Sequence, residues 1–199
     1  MGYSGDLRVN FGGSTDAAGW NSFGGGITDA KPLIDADGSQ TPHTLEMTDP
    51  FQSFENPNVV EGELTGRAAA FEACRAATLF TASEKGNPTG GFTLTLDPGK
   101  TYTLEFWASR TGNGTRWTKF TVEGAEKSSQ MLAAGDRSTR AGNRSKTALF
   151  ADVQPDANGQ VRVIVSGPAE TEPYVNMGGF SYLTGMIVSE ADAASDTDQ

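Results

Sequence analysis

The sequence predicts an all-β protein, an antiparallel β-sandwich or jelly roll with at most one short helix. Apolar and polar residues alternate in many short segments, the pattern of strands with one buried face. The 199 residues include 25 glycines and 9 prolines, which suits short strands joined by turns. Strand and helix patterns do not alternate, so a parallel sheet is not expected. We expect residues 1–189 to form one sandwich domain and residues 190–199 to form an acidic, disordered tail or linker.

The first strand is predicted at Leu7-Arg8-Val9-Asn10-Phe11, where the apolar side chains fall on one face. A glycine-rich loop follows, and in this loop Trp20 and Phe23 are expected to anchor the chain to the sandwich. Residues 64–80 break the alternation because they are rich in alanine. This segment is the candidate for the one short helix.

The clearest pair of strands is predicted at residues 92–96 and 102–106. The sequence Asp97-Pro98-Gly99-Lys100 separates them. Proline presets φ at the second position of a turn, and glycine tolerates positive φ at the third. We therefore predict a hairpin here, with Glu105 and Trp107 on the face that points away from the core.

The second half of the chain predicts four more strands. They lie at residues 118–122, 147–153, 160–165 and 180–188. Asp156-Ala157-Asn158-Gly159 is a turn signal between the second and third of them, which are expected to pair as a hairpin. In the first, Thr118, Phe120 and Val122 should point inward and Trp117 outward. In the last, Gly185 is predicted to form a bulge.

Several motifs occur in an order that resembles a known superfamily. In chain order they are LRVNFGG (7–13), GWNSF (19–23), LIDADG (33–38), LDPGKTYTLEFWASR (96–110), VQPDANG (153–159) and GFSYLTGMIV (179–188). Over residues 6–189, this order resembles the galactose-binding-domain-like β-sandwich modules, including carbohydrate-binding modules, of bacterial surface and polysaccharide-degrading proteins. The resemblance implies a jelly roll whose first and last strands pair. It also implies a secreted or cell-surface location and glycan binding, with a fused or adjacent catalytic domain.

Trp107 and Trp117 are the predicted sugar-binding residues. A sugar ring has an apolar C–H face that stacks on an indole, while its hydroxyls need polar partners. If the two strands are neighbours, both indoles flank the loop between them on one side of the sheet. That loop supplies Arg110, Asn113 and Arg116, whose side chains can bind hydroxyls or the carboxylate of an acidic sugar. The alternative interpretation is that both indoles cover the sheet beneath other loops.

Metal binding and catalysis have few candidate residues. Asp35 and Asp37, in Asp35-Ala36-Asp37-Gly38, are candidate ligands of a structural calcium ion, although these four residues also fit an ordinary turn. His43 is the single histidine and Cys74 the single cysteine, so neither a zinc site nor an internal disulfide is expected. We predict that His43 is a surface residue at the start of a strand and that the chain has no catalytic activity.

The charge balance narrows the class of partner. The net charge is −10, and this disfavours nucleic acid, whose phosphates require a cationic surface. No apolar run is long enough to insert into a membrane, and residues 1–6 lack the pattern of a signal peptide. Four basic residues lie close together in the sequence, in either a solvated loop or a docking site for an anionic glycan: Arg137, Arg140, Arg144 and Lys146.

The sequence therefore predicts a non-catalytic carbohydrate-binding module. The alternative is a structural or adhesion module of a bacterial surface protein or a phage particle, without a small ligand. A third interpretation is a jelly-roll polysaccharide lyase that uses Tyr174 or Tyr182, although no recognisable catalytic stretch surrounds either tyrosine.

Overall fold

The computed structural model describes residues 5–55, 59–112, 114–135, 138, 140–168, 174 and 179–191. Within these residues the chain forms fourteen strands, numbered in chain order. They are β1 (Leu7–Phe11), β2 (Trp20–Phe23), β3 (Lys31–Ile34), β4 (Gln40–Asp49), β5 (Gln52–Glu55), β6 (Ala77–Ala82), β7 (Thr89–Thr95), β8 (Tyr102–Trp107), β9 (Arg116–Glu123), β10 (Lys127–Gly135), β11 (Ala148–Val153), β12 (Gln160–Ser166), β13 (Phe180–Leu183) and β14 (Gly185–Glu190).

Two main sheets face each other across one core. The five-stranded sheet has the order β11-β8-β14-β1-β2, and the six-stranded sheet has the order β10-β9-β12-β7-β4-β3. Adjacent strands pair antiparallel, except that β1 and β2 run parallel. The predicted antiparallel β-sandwich is thus confirmed. Strand β1 pairs with β14, so the first and last strands meet as the resemblance implies.

Aromatic side chains join the two sheets inside the sandwich. Phe106 of β8 stacks on Phe120 of β9, with ring centroids 4.8 Å apart and planes 11° apart. The Phe11 and Phe92 rings lie 5.3 Å apart between β1 and β7. These side chains are fully buried, as the alternation predicts.

Neither predicted hairpin forms, although both predicted turns do. Strand β7 lies in the six-stranded sheet and β8 in the five-stranded sheet, so residues 96–101 cross from one sheet to the other. The turn is present, because Lys100 N donates to Asp97 O at 3.2 Å and Gly99 N to Asp97 Oδ1 at 2.8 Å. Strands β11 and β12 are split between the sheets in the same way. The alternation of apolar and polar residues identifies the face of each strand that is buried. It does not identify the sheet to which the strand belongs, because strands of both sheets turn their apolar faces toward the same core.

A 3₁₀-helical segment, Gly66–Cys74, covers the outer face of the five-stranded sheet. It confirms the predicted short helix but is shorter than residues 64–80, because β6 begins at Ala77. Phe71 of this covering segment packs in a second apolar cluster with Trp107 and Ile187 of the sheet. Cys74 lies in the same cluster, and burial raises the pKa of its thiol well above the usual range. The sandwich therefore has a third layer on one side.

Gly185 does not form the predicted bulge. It begins β14 immediately after the chain leaves β13, which belongs to a separate three-stranded sheet of order β13-β6-β5. A Cβ atom at this position would lie 2.7 Å from Phe71 Cδ1 and 2.8 Å from Cys74 Sγ. Glycine is therefore required by the close approach of the covering segment.

His43 is buried, and its predicted surface position was wrong. It lies inside β4 with 4% of its surface exposed, and its ring meets Tyr102 edge-on at 6.1 Å.

Strand β14 continues to Glu190, whose Oε2 accepts from Lys100 Nζ at 2.8 Å. Residues 192–199 of the predicted tail lie outside the described residues. Among the described residues, none of the helical segments has the length and apolar character of a membrane span.

Candidate functional site

Trp107 is fully buried, so its predicted role as a solvent-exposed sugar platform was wrong. Its indole does point away from the core between the sheets, but the covering segment lies on top of it. The Trp107 and Phe71 rings stack with centroids 5.9 Å apart and planes 29° apart. Trp107 Nε1 also donates to Asn143 O at 3.2 Å. The alternative interpretation, an indole beneath another segment, is confirmed for this residue. Trp20 packs against the same cluster, as its anchoring role predicts.

Trp117 is partly exposed, and it is not beside Trp107. Strands β8 and β9 belong to opposite sheets, so the predicted arrangement of the two indoles on one side of one sheet was wrong. Trp117 lies opposite Ala133 of β10, while Thr118 next to it is buried. The Trp117 ring meets Tyr174 edge-on at 4.9 Å. Trp117 therefore keeps the outward orientation that the alternation predicts.

A cleft of about 410 Å³ opens beside Trp117, where the edge of the six-stranded sheet meets the loop of residues 142–147. Met131 and Trp117 supply apolar surface, and Arg67 and Lys146 supply cationic groups. A second cleft of about 230 Å³ shares Lys146 with the first and extends it to Arg144. The two adjoining clefts are called the Trp117 groove.

Asn143 holds the backbone of the 142–147 loop in place. Its Nδ2 donates to Ala108 O at 3.1 Å and to Lys146 O at 2.7 Å, while its Oδ1 accepts from Lys146 N at 3.0 Å. Its own carbonyl oxygen accepts the Trp107 indole N–H. One amide side chain thus satisfies several backbone groups and ties the loop to Ala108, the residue that follows β8, which gives the groove a defined wall.

Arg67 is fixed in the groove by a two-pronged ion pair. Its Nε and Nη2 donate to the two carboxylate oxygens of Glu105 at 2.6 and 3.0 Å. Thr147 Oγ1 donates to the same carboxylate. Because Glu105 bonds the guanidinium, the pKa of Arg67 is raised further above its usual value. Glu105 is the outward-facing residue of β8 that the alternation predicts, and it joins the covering segment to the sheet.

Two of the predicted polar partners, Arg110 and Arg116, lie outside the groove. Arg110 Nη1 donates to Thr111 Oγ1 at 3.2 Å, and the Arg116 guanidinium stacks 4.8 Å from the centre of the Phe180 ring. Neither arginine lines the Trp117 groove. Asn113 and Arg137 lie outside the described residues.

Other polar residues line the groove, and only some of them were recognised in the sequence. Arg144 and Lys146 belong to the basic cluster seen in the sequence. Arg67 lies in the alanine-rich stretch, 50 residues before Trp117, and carried no local signal that it would line the groove.

Asp35 caps an ordinary turn between β3 and β4. Its Oδ1 accepts from Asp37 N and Ser39 N, both at 2.9 Å, and Gly38 N donates to its carbonyl oxygen at the same distance. Across the described part of the chain, no group of three or more His, Cys, Asp or Glu side chains could hold a metal ion. Calcium binding by Asp35 and Asp37 stays a prediction.

Comparisons with known proteins support the fold of the chain but not its function. No family model and no curated protein matches the chain. The chain is similar to the ANXUR1 extracellular domain from Arabidopsis thaliana, with a TM-score of 0.59 and 12% identity; 94% of this chain and 48% of that one are covered. It thus spans about half of that ectodomain. This likeness supports the β-sandwich fold alone.

Two further structures are more distant. A CBM61 module in complex with β-1,4-galactotriose has a TM-score of 0.38 and 12% identity, over 75% of this chain and 89% of that one. An F5/8 type C domain from Bacteroides fragilis has a TM-score of 0.30 and 14% identity, over 67% and 79%. Their TM-scores are too low to carry an argument about the site.

Proposed function

We propose that this chain is a non-catalytic carbohydrate-binding module that binds a glycan in the Trp117 groove. The observation that carries the proposal is the juxtaposition of a partly exposed indole with cationic and hydroxyl-bearing side chains in one groove. An indole offers a flat apolar face to the C–H groups of a pyranose. Ser145 and Lys146 beside it offer hydrogen bonds to the sugar hydroxyls.

The groove is open to solvent, which sets the expected affinity. A shallow contact buries little area, and each sugar hydroxyl exchanges a bond to water for a bond to protein. We therefore expect weak binding at a single site, with most of the affinity from stacking on Trp117. Arg110 and Arg116 do not line the groove, so their predicted contacts with sugar become secondary to those of Arg67 and Lys146.

A glycan array followed by calorimetry tests this proposal. Trp117→Ala should weaken binding at least tenfold, about 1.4 kcal/mol, because the stacking surface is removed. Lys119→Ala is the matched control, since Lys119 lies two residues away on the same strand and face but does not line the groove. The proposal fails if no glycan binds, or if Trp117→Ala binds as tightly as the Lys119→Ala control.

The cellular setting is part of the same proposal. A secreted or cell-surface module would act by holding a fused or adjacent glycan-degrading domain at its polysaccharide. The ANXUR1 match is itself an extracellular domain, which is compatible with this setting. The neighbouring coding sequence tests it, because virion genes there would instead favour the structural or phage alternative. Release of new sugar ends from a polysaccharide panel would overturn the non-catalytic assignment.

A further inference from the structure

We infer that the glycan carries negative charge, as the carboxylate of an acidic sugar or as a sulfate ester. This inference rests on the proposed function, because it names the ligand class of the same groove. Three cationic side chains line the groove, namely Arg67, Arg144 and Lys146. Glu105 offsets the charge of Arg67, so the excess positive charge comes from Arg144 and Lys146. Among the described residues, no carboxylate lines either of its two clefts.

This local excess of positive charge runs against the composition of the chain. The protein has 25 acidic and 15 basic residues, so a groove with two cations in excess of the Arg67–Glu105 pair departs from the average surface. Glu61 and Glu63 lie close to Arg67 in the sequence, but neither glutamate lines the groove. Glu105 is occupied by Arg67 and Thr147. An anion that enters the groove therefore meets net positive charge although the whole protein repels it.

The cations are held on a rigid frame. Arg144 O accepts from Thr65 N at 2.8 Å, and Lys146 is bonded through its backbone to Asn143. Neither Arg144 nor Lys146 forms an ion pair with a described residue. Their side chains are exposed, so a bound anion can meet them without displacing an internal partner. A guanidinium matches the planar oxygens of a carboxylate or sulfate, and an ammonium adds a point charge.

Two pairs of oligosaccharides separate charge from sugar. Alginate oligosaccharides are compared with their methyl esters, which keep the ring and lose the carboxylate charge. Carrageenan oligosaccharides are compared with the same oligosaccharides after chemical desulfation, which keeps the sugars and removes the sulfate charge. Calorimetry on the full chain should show at least fivefold tighter binding of the charged member in one pair, and the pair that responds identifies the source of the charge. The preference should shrink between 0.1 and 1 M salt, where the Debye length falls from about 10 to about 3 Å.

Variants assign the preference to these residues. Arg144→Gln should lower affinity for the charged ligand by about two- to fivefold and leave the neutral one unchanged. Lys146→Gln should lower affinity for the charged ligand by a similar factor and for the neutral ligand by less, because Lys146 also bonds sugar hydroxyls. Arg162→Gln is the matched control, because Arg162 lies on β12, outside both clefts, and is also exposed. Equal affinity for charged and neutral members, with both lost in Trp117→Ala, would overturn this inference and leave the proposed function intact.

A non-sugar polyanion completes the test. Polyglutamate should bind much more weakly than the preferred oligosaccharide, because it lacks a ring to stack on Trp117. If polyglutamate binds equally well and Trp117→Ala changes nothing, the groove is an electrostatic patch and the proposed function fails with the inference. Binding of neither member of either pair would also overturn the inference.

Discussion

Trp107 and Trp117 should differ sharply in what they contribute to stability. Trp107 has no exposed surface, stacks on Phe71 and donates its indole N–H to Asn143. Truncation of such a buried aromatic leaves a cavity and typically costs about 3–5 kcal/mol. Trp117 is partly exposed at the groove, so its truncation creates no closed cavity, and we expect a loss of about 1 kcal/mol or less.

Thermal unfolding of Trp107→Ala and Trp117→Ala measures the contrast directly. For a chain of this size, each kcal/mol shifts Tm by about 2–4 °C. Trp107→Ala should therefore lower Tm by roughly 6–20 °C, and Trp117→Ala by no more than about 4 °C. Trp107→Phe keeps a ring against Phe71 and removes the bond to Asn143, so it should fall between the two.

Fluorescence gives an independent reading of the same assignment. Acrylamide should quench the Trp117 contribution more readily than the Trp107 contribution. Each contribution is the difference between the unsubstituted chain and the variant that lacks that indole, since Trp20 emits in both. A larger Tm loss in Trp117→Ala than in Trp107→Ala would refute the burial on which the site assignment depends. Equal quenching of both indoles would refute it too.

Two more predictions concern buried positions, one in the core between the sheets and one beneath the covering segment. Burial lowers the pKa of His43 below its ordinary value of 6.5, chiefly by desolvation, while Asp97 and Glu190 oppose the shift and Lys100 adds to it. The folded state thus binds a proton less readily than the unfolded chain, so the free energy of unfolding should fall as the pH drops below about 6.5. In His43→Gln, the urea midpoint should lose this part of its dependence on pH. The same dependence in both proteins would contradict the prediction. Gly185→Ala should lower stability by about 1–3 kcal/mol through overpacking against the covering segment, and an unchanged Tm would contradict the close approach seen there.

Strands such as β8 and β12 could be predicted from the sequence because one face of each lies in the core. Strands β5, β6 and β10 were not predicted, and β6, in which every residue is buried, lies partly in the stretch predicted as helical. On β8, Tyr102, Leu104 and Phe106 are buried as the alternation requires, and Glu105 between them faces outward. The partners of the strands could not be predicted in the same way. A turn such as Asp97-Pro98-Gly99-Lys100 reverses the chain whether the next strand joins the same sheet or the opposite one, and the apolar pattern is the same in both cases.

The site shows a related limit of the pattern. Alternation placed both Trp107 and Trp117 outside the core between the sheets, and both do point that way. It holds no information on what lies over an outer face, because that depends on contacts distant in sequence. Phe71 reaches Trp107 from 36 positions away, while the described surface beside Trp117 is an open cleft. The position of Arg67 in that cleft also depends on contacts distant in sequence, so the alternation could not predict it.

The buried indole still bears on the groove. Trp107 Nε1 donates to the carbonyl oxygen of Asn143, whose side chain orders the backbone of Lys146. Trp107 is therefore a positioning residue for the wall of the Trp117 groove, although it does not line it. Trp107→Phe removes this bond without changing any side chain in the groove, so it should weaken glycan binding. The part of the fluorescence that is lost on further substitution of Trp117 should keep its spectrum, which shows an intact stacking surface. Full affinity in that variant would separate the two tryptophans in function as well as in burial, and would leave Asn143 alone responsible for the loop.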